Sequence, residues 1–308
     1  MLKIGNLTLK TGKILAPMAG ITDFPFRMLA RKFGCELAFV EMINCRSISH
    51  KSVRTKQMLS SHPKDRPLGV QLLGCEDKFI LKAIEVLKGY KFDLLDFNAA
   101  CPAKKVVRRG EGASLLKEPE KLHELLKLIV KNSPFPVSVK IRIGWDEHSI
   151  NAREVALLAE DAGVKALFVH GRTKAQGYSG EVNYAAIARV KAALKIPVIA
   201  SGNIFSNELA QKMLSETHCD AVAVARGSLG NPWIFNAGAP IPAEVIKVMA
   251  EHLNANVQFY GERVGVMKFR KFVAWYTKGW RKVRQLREKS SRVKKKEEML
   301  ALIENCRL

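Results

Sequence analysis

Eight short apolar runs recur along this chain with helix-patterned segments between them, and that alternation limits the folds open to it more than any other feature. The runs are Ile14–Ala16, Leu37–Val40, Leu68–Leu72, Leu94–Phe97, Val137–Ile143, Ala166–Val169, Val198–Ala200 and Ala221–Ala225. Helical periodicity is clearest over Asp77–Leu87, Pro119–Val130, Ile150–Asp161, Tyr184–Ala193 and Asn207–Leu214. Glu118-Pro119, Asn183 and Ser206 are good helix starts. Strand and helix alternating eight times predict an α/β fold, a (β/α)8 TIM barrel. A doubly wound open sheet is the alternative, weakened because no GxGxxG follows the first run. Leu2–Ile4 and Leu7–Leu9 flank Gly5-Asn6 and read as a hairpin capping the barrel bottom. The pattern ends near Pro232, and Ala237 to Pro242 reads as a linker. Beyond it Val245–Tyr260, Val264–Trp280 and Arg281–Leu308 read as helices. The expected organisation is a barrel over 1–236 followed by a small all-helical C-terminal domain over 243–308.

The chain has 308 residues and a formal net charge of +22. Such an excess points to a polyanionic partner, most often nucleic acid. Residues 268–296 hold thirteen Lys or Arg against one acid, Glu288, so this segment alone carries +12. No apolar run reaches the length of a membrane span, and the N-terminus lacks the apolar stretch of a signal peptide. The six cysteines, at 35, 45, 75, 101, 219 and 306, form no CxxC pair. Neither a metal site nor a disulfide framework is indicated, and reduced thiols in a cytoplasmic protein are the simplest expectation.

In a barrel of this kind chemistry gathers at the C-terminal strand ends. There the sequence places Pro17 and Met18, Glu41-Met42, Gln71, Asn98 and Cys101, Lys140 and Arg142, His170 to Thr173, Ser201-Gly202-Asn203, and Arg226-Gly227. Cys101 precedes Pro102 and lies within eight residues of Lys104, Lys105, Arg108 and Arg109. It is either a half-buried structural cysteine or a thiol that exchanges protons near neutral pH. Gly202 and Gly227 suit backbone N–H contacts to a phosphate, with Arg226 adding charge and Gly230 to Trp233 starting a short helix. Lys140 with Gln71 and Asn98 suits the edge of a flavin ring, and Pro17 and Met18 an apolar wall. FMN fits this set better than a nicotinamide or a pyridoxal group. A pyridoxal group, which needs a Schiff-base lysine, stays open through Lys140.

Together these blocks resemble the tRNA-dihydrouridine synthases. The matching tracts are Ala16 to Asp23 with Phe26-Arg27; Asn98 to Val106 with Gly110 to Ala113; Val139 to Trp145; His170 to Thr173 with Gln176, Tyr178 and Gly180; Pro197 to Ile204; and Arg226 to Trp233. Tyr260-Gly261 and Arg270 to Tyr276 resemble the bacterial members with a helical RNA-binding domain. The resemblance implies an FMN barrel and a helical domain acting on tRNA, with NADPH (or NADH) reducing FMN and hydride passing to C6 of a uracil; a monomer is the default expectation. It implies that Cys101 protonates C5. FMN contacts map onto Pro17, Met18, Gln71, Lys140, His170, Gly202, Asn203, Arg226 and Gly227. Asn98 and Arg142 match positions near ring and target base.

Lys268, Arg270, Lys271 and Arg281, interleaved with Trp275, Tyr276 and Trp280, suit phosphate contact and stacking. The chain departs from the family at Ala100, where glycine is usual. If that position needs a positive φ, alanine costs about 1 kcal/mol. Phe272 replaces a common histidine, with consequences expected for RNA contact. The rival reading is a flavin barrel acting on a free pyrimidine, such as a dihydroorotate dehydrogenase-like enzyme, which would not need the basic tail.

Overall fold

The structure is a computed structural model that describes residues 1–48, 53–281 and 283–305, with the backbone alone at 53 and 54. An antiparallel hairpin, β1 (Leu2–Ile4) and β2 (Leu7–Leu9), opens the chain. Parallel strands follow: β3 (Lys13–Leu15), β4 (Ala38–Phe39), β5 (Ile43–Asn44), β6 (Leu68–Leu73), β7 (Leu94–Ala99), β8 (Val137–Arg142), β9 (Ala166–His170), β10 (Val198–Ser201) and β11 (Ala221–Val224). Their order, β4-β3-β11-β10-β9-β8-β7-β6-β5, closes through a further β4–β6 pairing, so the sheet is a barrel.

The second stave departs from the sequence reading. The single run Leu37–Val40 becomes two fragments, β4 and β5, which pair β6 separately at Ala38↔Leu68 and Ile43↔Leu72. Between them the side chains are diverted to the mouth. Glu41 accepts from the Gly20 N–H, and Met42 lines the cavity.

Side chains alternate along each strand. Ile14, Leu94, Ala166, Phe168, Ile199 and Ala221 point inward and form a lower core, plugged from below by Leu2, Ile4 and Leu9 of the hairpin. The intervening residues, among them Leu95, Phe97, Val139, Leu167 and Val222, point outward under the helices. At Gly69 a Cβ would lie 2.3 Å from the Phe39 ring, so the core there has room only for glycine.

The surrounding helices are Asp77–Leu87, Pro119–Asn132, Ala152–Asp161, Tyr184–Ala193 and Asn207–Thr217. Asn183 and Ser206 cap theirs by accepting from Ala186 N at 2.8 Å and Leu209 N at 3.2 Å. Glu118 gives no side-chain cap, and Pro119 starts its helix by its fixed φ.

A further helix, Phe24–Lys32, is capped by Asp23, which accepts from Phe26 N at 3.1 Å. It is the dock for the C-terminal helices Pro242–Tyr260, Glu262–Tyr276, Arg284–Ser290 and Lys296–Glu304. Phe26 stacks on Phe272 with centroids 5.6 Å apart, and the Tyr260 hydroxyl donates to Asp23 at 2.9 Å. The segment Arg281–Leu308, expected as one helix, is two. The chain turns between them where Arg270 Nε donates to the Val293 carbonyl at 2.9 Å, and this brings Met299 and Ile303 into the core. Cys306 lies outside the described residues.

One buried carboxylate ties the docking helix to the barrel. Asp65 accepts from Arg27 Nε at 2.9 Å and Nη2 at 2.8 Å and from Arg31 Nε at 2.6 Å, with Arg27 and Asp65 both 0% exposed. Removing the anion strands a guanidinium in the interior. Asp65→Ala is therefore expected to lower unfolding free energy by about 3–5 kcal/mol in urea titration, and a loss below about 1 kcal/mol would contradict this account of the tie.

Candidate functional site

A cavity of about 350 Å³ opens at the C-terminal strand ends. Its floor follows from the same alternation. Two residues above the apolar layer, the inward positions of β6, β7 and β8 are Gln71, Asp96 and Ser138, in register across the sheet. One step higher come Asn98 and Lys140, again paired. Asp96 is 1% exposed and accepts from Gln71 Nε2 and Ser138 Oγ, each at 2.7 Å. Burial raises its carboxyl to about 6, against the pull of those hydrogen bonds and of Lys140. Asn98 donates to Gln71 Oε1 at 2.8 Å and accepts from the Ala100 and Cys101 N–H groups at 2.9 Å each.

Cys101 sits on the turn that Asn98 holds. Its carbonyl accepts from Ala113 N at 3.1 Å. Gly112 has φ +62° and packs so closely that a Cβ would stand 2.8 Å from that carbonyl. The thiol is pushed above its ordinary value by burial, opposed by the Ala103 N–H and by the charges of Arg142 and Lys140. The cations that act on it are thus these two from β8. Lys104, Lys105, Arg108 and Arg109, which the sequence suggested, are exposed to solvent. Ala100 is not among the positive-φ residues, so the glycine-to-alanine departure costs no backbone strain. Its carbonyl accepts from Arg142 Nε at 2.8 Å.

Arg142 is 2% exposed and also donates to the carbonyls of Thr173 at 3.0 Å and Gly177 at 2.7 Å. Its side chain therefore braces two loops as well as lining the cavity. Arg172 braces the same segment through Gly180 O at 2.6 Å. Desolvation lowers Lys140 to about 8 and pushes His170 down to about 2, the latter helped by Lys140, Arg142, Arg172 and Arg226. At neutral pH the imidazole is uncharged and the lysine remains largely cationic.

Opposite the thiol, Gly202 and Asn203 carry positive φ values of 131° and 51°. A Cβ on Gly202 would meet Val182 at 2.9 Å, and one on Gly227 would meet the Ile204 carbonyl at 1.8 Å. Both positions are thus restricted to glycine by packing, and both glycines line the cavity, where a backbone without side chains suits a phosphate group. Arg226 Nη2 reaches Asn203 Oδ1 at 3.4 Å and lies between the rings of Tyr178 and Phe205, 4.8 and 5.5 Å from their centroids. The expected helix at Gly230 to Trp233 is a 3-10 turn over Pro232–Phe235 that lies off the cavity, because Trp233 is drawn into the core at 7% exposure.

Pro17, Met18, Gln71, Asn98, Cys101, Lys140, Arg142, His170, Gly202, Asn203, Arg226 and Gly227 all line this one cavity. Donors of both charged and amide type, an apolar wall and a two-glycine cradle fit a phosphorylated flavin. Met42, Tyr178, Ser201 and Phe205 line it too without having been assigned a role. The signal for Ser201 was available, since it occupies the inward place on β10. Lys268, Arg270, Lys271 and Arg281 are not among the residues that line the cavity. Of these, Arg281 is exposed, Lys268 covers the Tyr260 ring at 4.3 Å, and Lys271 donates to the Gly20 carbonyl at the barrel mouth. Arg270 is committed to the turn at Val293. Phe272 and Tyr276 are buried, and Trp275 and Trp280 pack against the core. Phe272 and Tyr276 are therefore packing residues, not RNA-stacking ones.

The family described as Dihydrouridine synthase (Dus) matches residues 14–307. The chain is 39% identical over 289 residues to tRNA-dihydrouridine synthase B of Pasteurella multocida, covering 90% of this chain and 87% of that one. It is 38% identical to the probable tRNA-dihydrouridine synthase of Rickettsia conorii, covering 91% and 88%. With the probable tRNA-dihydrouridine synthase 1 of Synechocystis it shares 38% over 300 residues, covering 93% and 84%.

The raised thiol has a measurable consequence. A group held protonated by burial ionises only at higher pH, so alkylation of Cys101, followed by peptide mass spectrometry, is expected to rise with a midpoint above that of an ordinary thiol, about 8.5. A midpoint below neutrality would show that Arg142 and Lys140 overcome burial and that the group is a thiolate.

Proposed function

The chain belongs to the dihydrouridine synthase family, and from that premise we propose that it reduces uridine in the D-loop of tRNA to dihydrouridine. The observation that carries the reading is Cys101, a protonated thiol on the rim of a cavity whose other wall is built for a phosphorylated planar ring. Gly202, Asn203, Arg226 and Gly227 would hold the phosphate of FMN, Gln71, Lys140 and His170 its ring, and Pro17 with Met18 the apolar wall. When bound and reduced by NADPH or NADH, FMN supplies hydride to C6 of the uracil.

The remaining steps fall to side chains of this chain. The target base must leave its stack to reach the cavity. Hydride addition at C6 leaves enolate character at C5 and O4. Cys101 donates its proton to C5, and the thiolate left behind is stabilised by the charges of Arg142 and Lys140. Neutral His170 can donate a hydrogen bond without adding a fifth cation. Asn98 holds the thiol turn, and Arg142 holds that turn against the Gly177 loop.

The division of labour we propose is a catalytic barrel over 1–236 and a tRNA-binding helical domain over 243–308, in a monomeric cytoplasmic enzyme. Among the described residues no helix is long and apolar enough to cross a membrane. The charge of 268–296 supports the RNA role, although its grip rests on exposed cations such as Lys278, Arg281, Lys289 and Lys294. The buried aromatics of the same segment are taken up by packing.

Cys101→Ala should retain bound flavin, visible by absorbance, while turnover of tRNA falls at least about 100-fold. Turnover within about twofold of the parent would remove the acid role. Replacing Lys278, Arg281, Lys289 and Lys294 with Ala should flatten the slope of log affinity for tRNA against log salt by about 3. An unchanged slope would place the RNA contacts elsewhere.

A further inference from the structure

Asp96 is absent from the cavity lining, yet it terminates the hydrogen-bond chain that reaches the backbone N–H of Cys101. We propose that Asp96 is a positioning residue: its carboxylate sets the direction of the Gln71–Asn98 amide relay and so anchors the backbone that presents Cys101.

Hydrogen-bond direction distinguishes the two ends of each amide. An amide side chain offers an oxygen and an NH2 of nearly equal size, so its shape alone does not choose an orientation. Here both ends of the relay are single-valued. At one end an ionised carboxylate only accepts, so Gln71 must turn its Nε2 to Asp96, as it does at 2.7 Å. Its Oε1 then faces Asn98, which must donate, as it does at 2.8 Å. That leaves Asn98 Oδ1 for the turn, where the N–H groups of Ala100 and Cys101, which only donate, meet it at 2.9 Å each. Every amide in the chain is thus held in one direction from both ends, and the end away from the turn is a residue that is 1% exposed and out of reach of the cavity. The second donor on Asp96, Ser138 Oγ at 2.7 Å, satisfies the other carboxylate oxygen but does not direct the relay. The register explains the alignment, because Gln71, Asp96 and Ser138 are direct neighbours on three adjacent strands.

The relay predicts a reciprocal swap. In Asn98→Asp alone, Gln71 stands between two groups that only accept, and one contact must fail. In Asp96→Asn alone a single Oδ1 replaces two acceptor oxygens, so either Gln71 Nε2 meets the Nδ2 group or Ser138 Oγ must stop donating there. In the double variant the relay runs backwards without conflict. Asn at 96 donates to Gln71 Oε1, and Gln71 Nε2 donates to Asp at 98. The new carboxylate at 98 still accepts from the Ala100 and Cys101 N–H groups, and Ser138 still donates to the Oδ1 at 96.

Hydrogen exchange at the Ala100 and Cys101 amides of the purified full chain reads the anchor directly. Each single variant is expected to exchange there about tenfold faster than the parent, and the double variant to return to within about threefold of it. Ser138→Ala, which loses a bond to the same carboxylate but keeps its direction, should stay within about threefold of the parent. Unchanged exchange in the singles, additive acceleration in the double, or a tenfold effect of about that size in Ser138→Ala would each overturn the proposal. Simple packing at 96 would not give reciprocal rescue, and if one single variant fails to fold, the other single variant beside the double still reads the rescue. The bearing of the relay on proton delivery rests on the reduction proposed above. Amide exchange needs neither tRNA nor reductant, so relay and reaction can fail separately.

Discussion

A parallel strand points every second side chain inward, and a closed barrel permits no slip in that register. The whole site depends on this constraint. On β7 the inward positions are Leu94, Asp96 and Asn98; on β8 they are Ser138, Lys140 and Arg142. Reading upward, the interior passes from apolar core to a buried acid to a cation-lined cavity within a few residues of each strand. A shift of one residue would put Phe97 and Val139 in the cavity and the carboxylate and lysine under the helices.

Placing so many polar groups on one floor has electrostatic consequences. Desolvation, reinforced by Lys140, Arg142, Arg172 and Arg226 converging on the ring, holds His170 neutral. Asp96 is the carboxylate beneath them that favours the charged form of Lys140. The guanidinium of Arg142 is held by carbonyls of Ala100, Thr173 and Gly177, so a buried positive charge is compensated by aligned backbone dipoles. The result is a cavity suited to a ligand rich in carbonyl and phosphate oxygens, beside a thiol that retains its proton.

Most of the architecture and the residues of the candidate site were legible, because strand ends carry their chemistry in short contiguous tracts. Cys101, Lys140 and His170 could be found without knowing how the strands twist. What escaped depends on contacts between distant segments. The break between β4 and β5 follows from Glu41 reaching Gly20. The two-helix ending follows from Arg270 gripping Val293. Phe272 and Tyr276 have the composition of a nucleic-acid surface, and only packing against Phe26 and His252 shows them to be core. The exposed cations after Cys101 misled for the same reason, since nearness in sequence is not nearness to the sulfur. The relay through Asp96 was hidden because it links side chains on three strands, and its direction emerges only when both ends are in view.

The central claim is that this cavity, with Cys101 at its rim, adds two hydrogens across the C5=C6 bond of a tRNA uracil. The most direct measurement is to incubate the purified protein with unmodified tRNA transcript and NADPH and to map mass changes by nuclease digestion and mass spectrometry. The account predicts D-loop fragments heavier by two hydrogens, with the gain lost when NADPH is omitted. Protein that holds flavin and oxidises NADPH but leaves every uridine of transcript and native unmodified tRNA unchanged would contradict it.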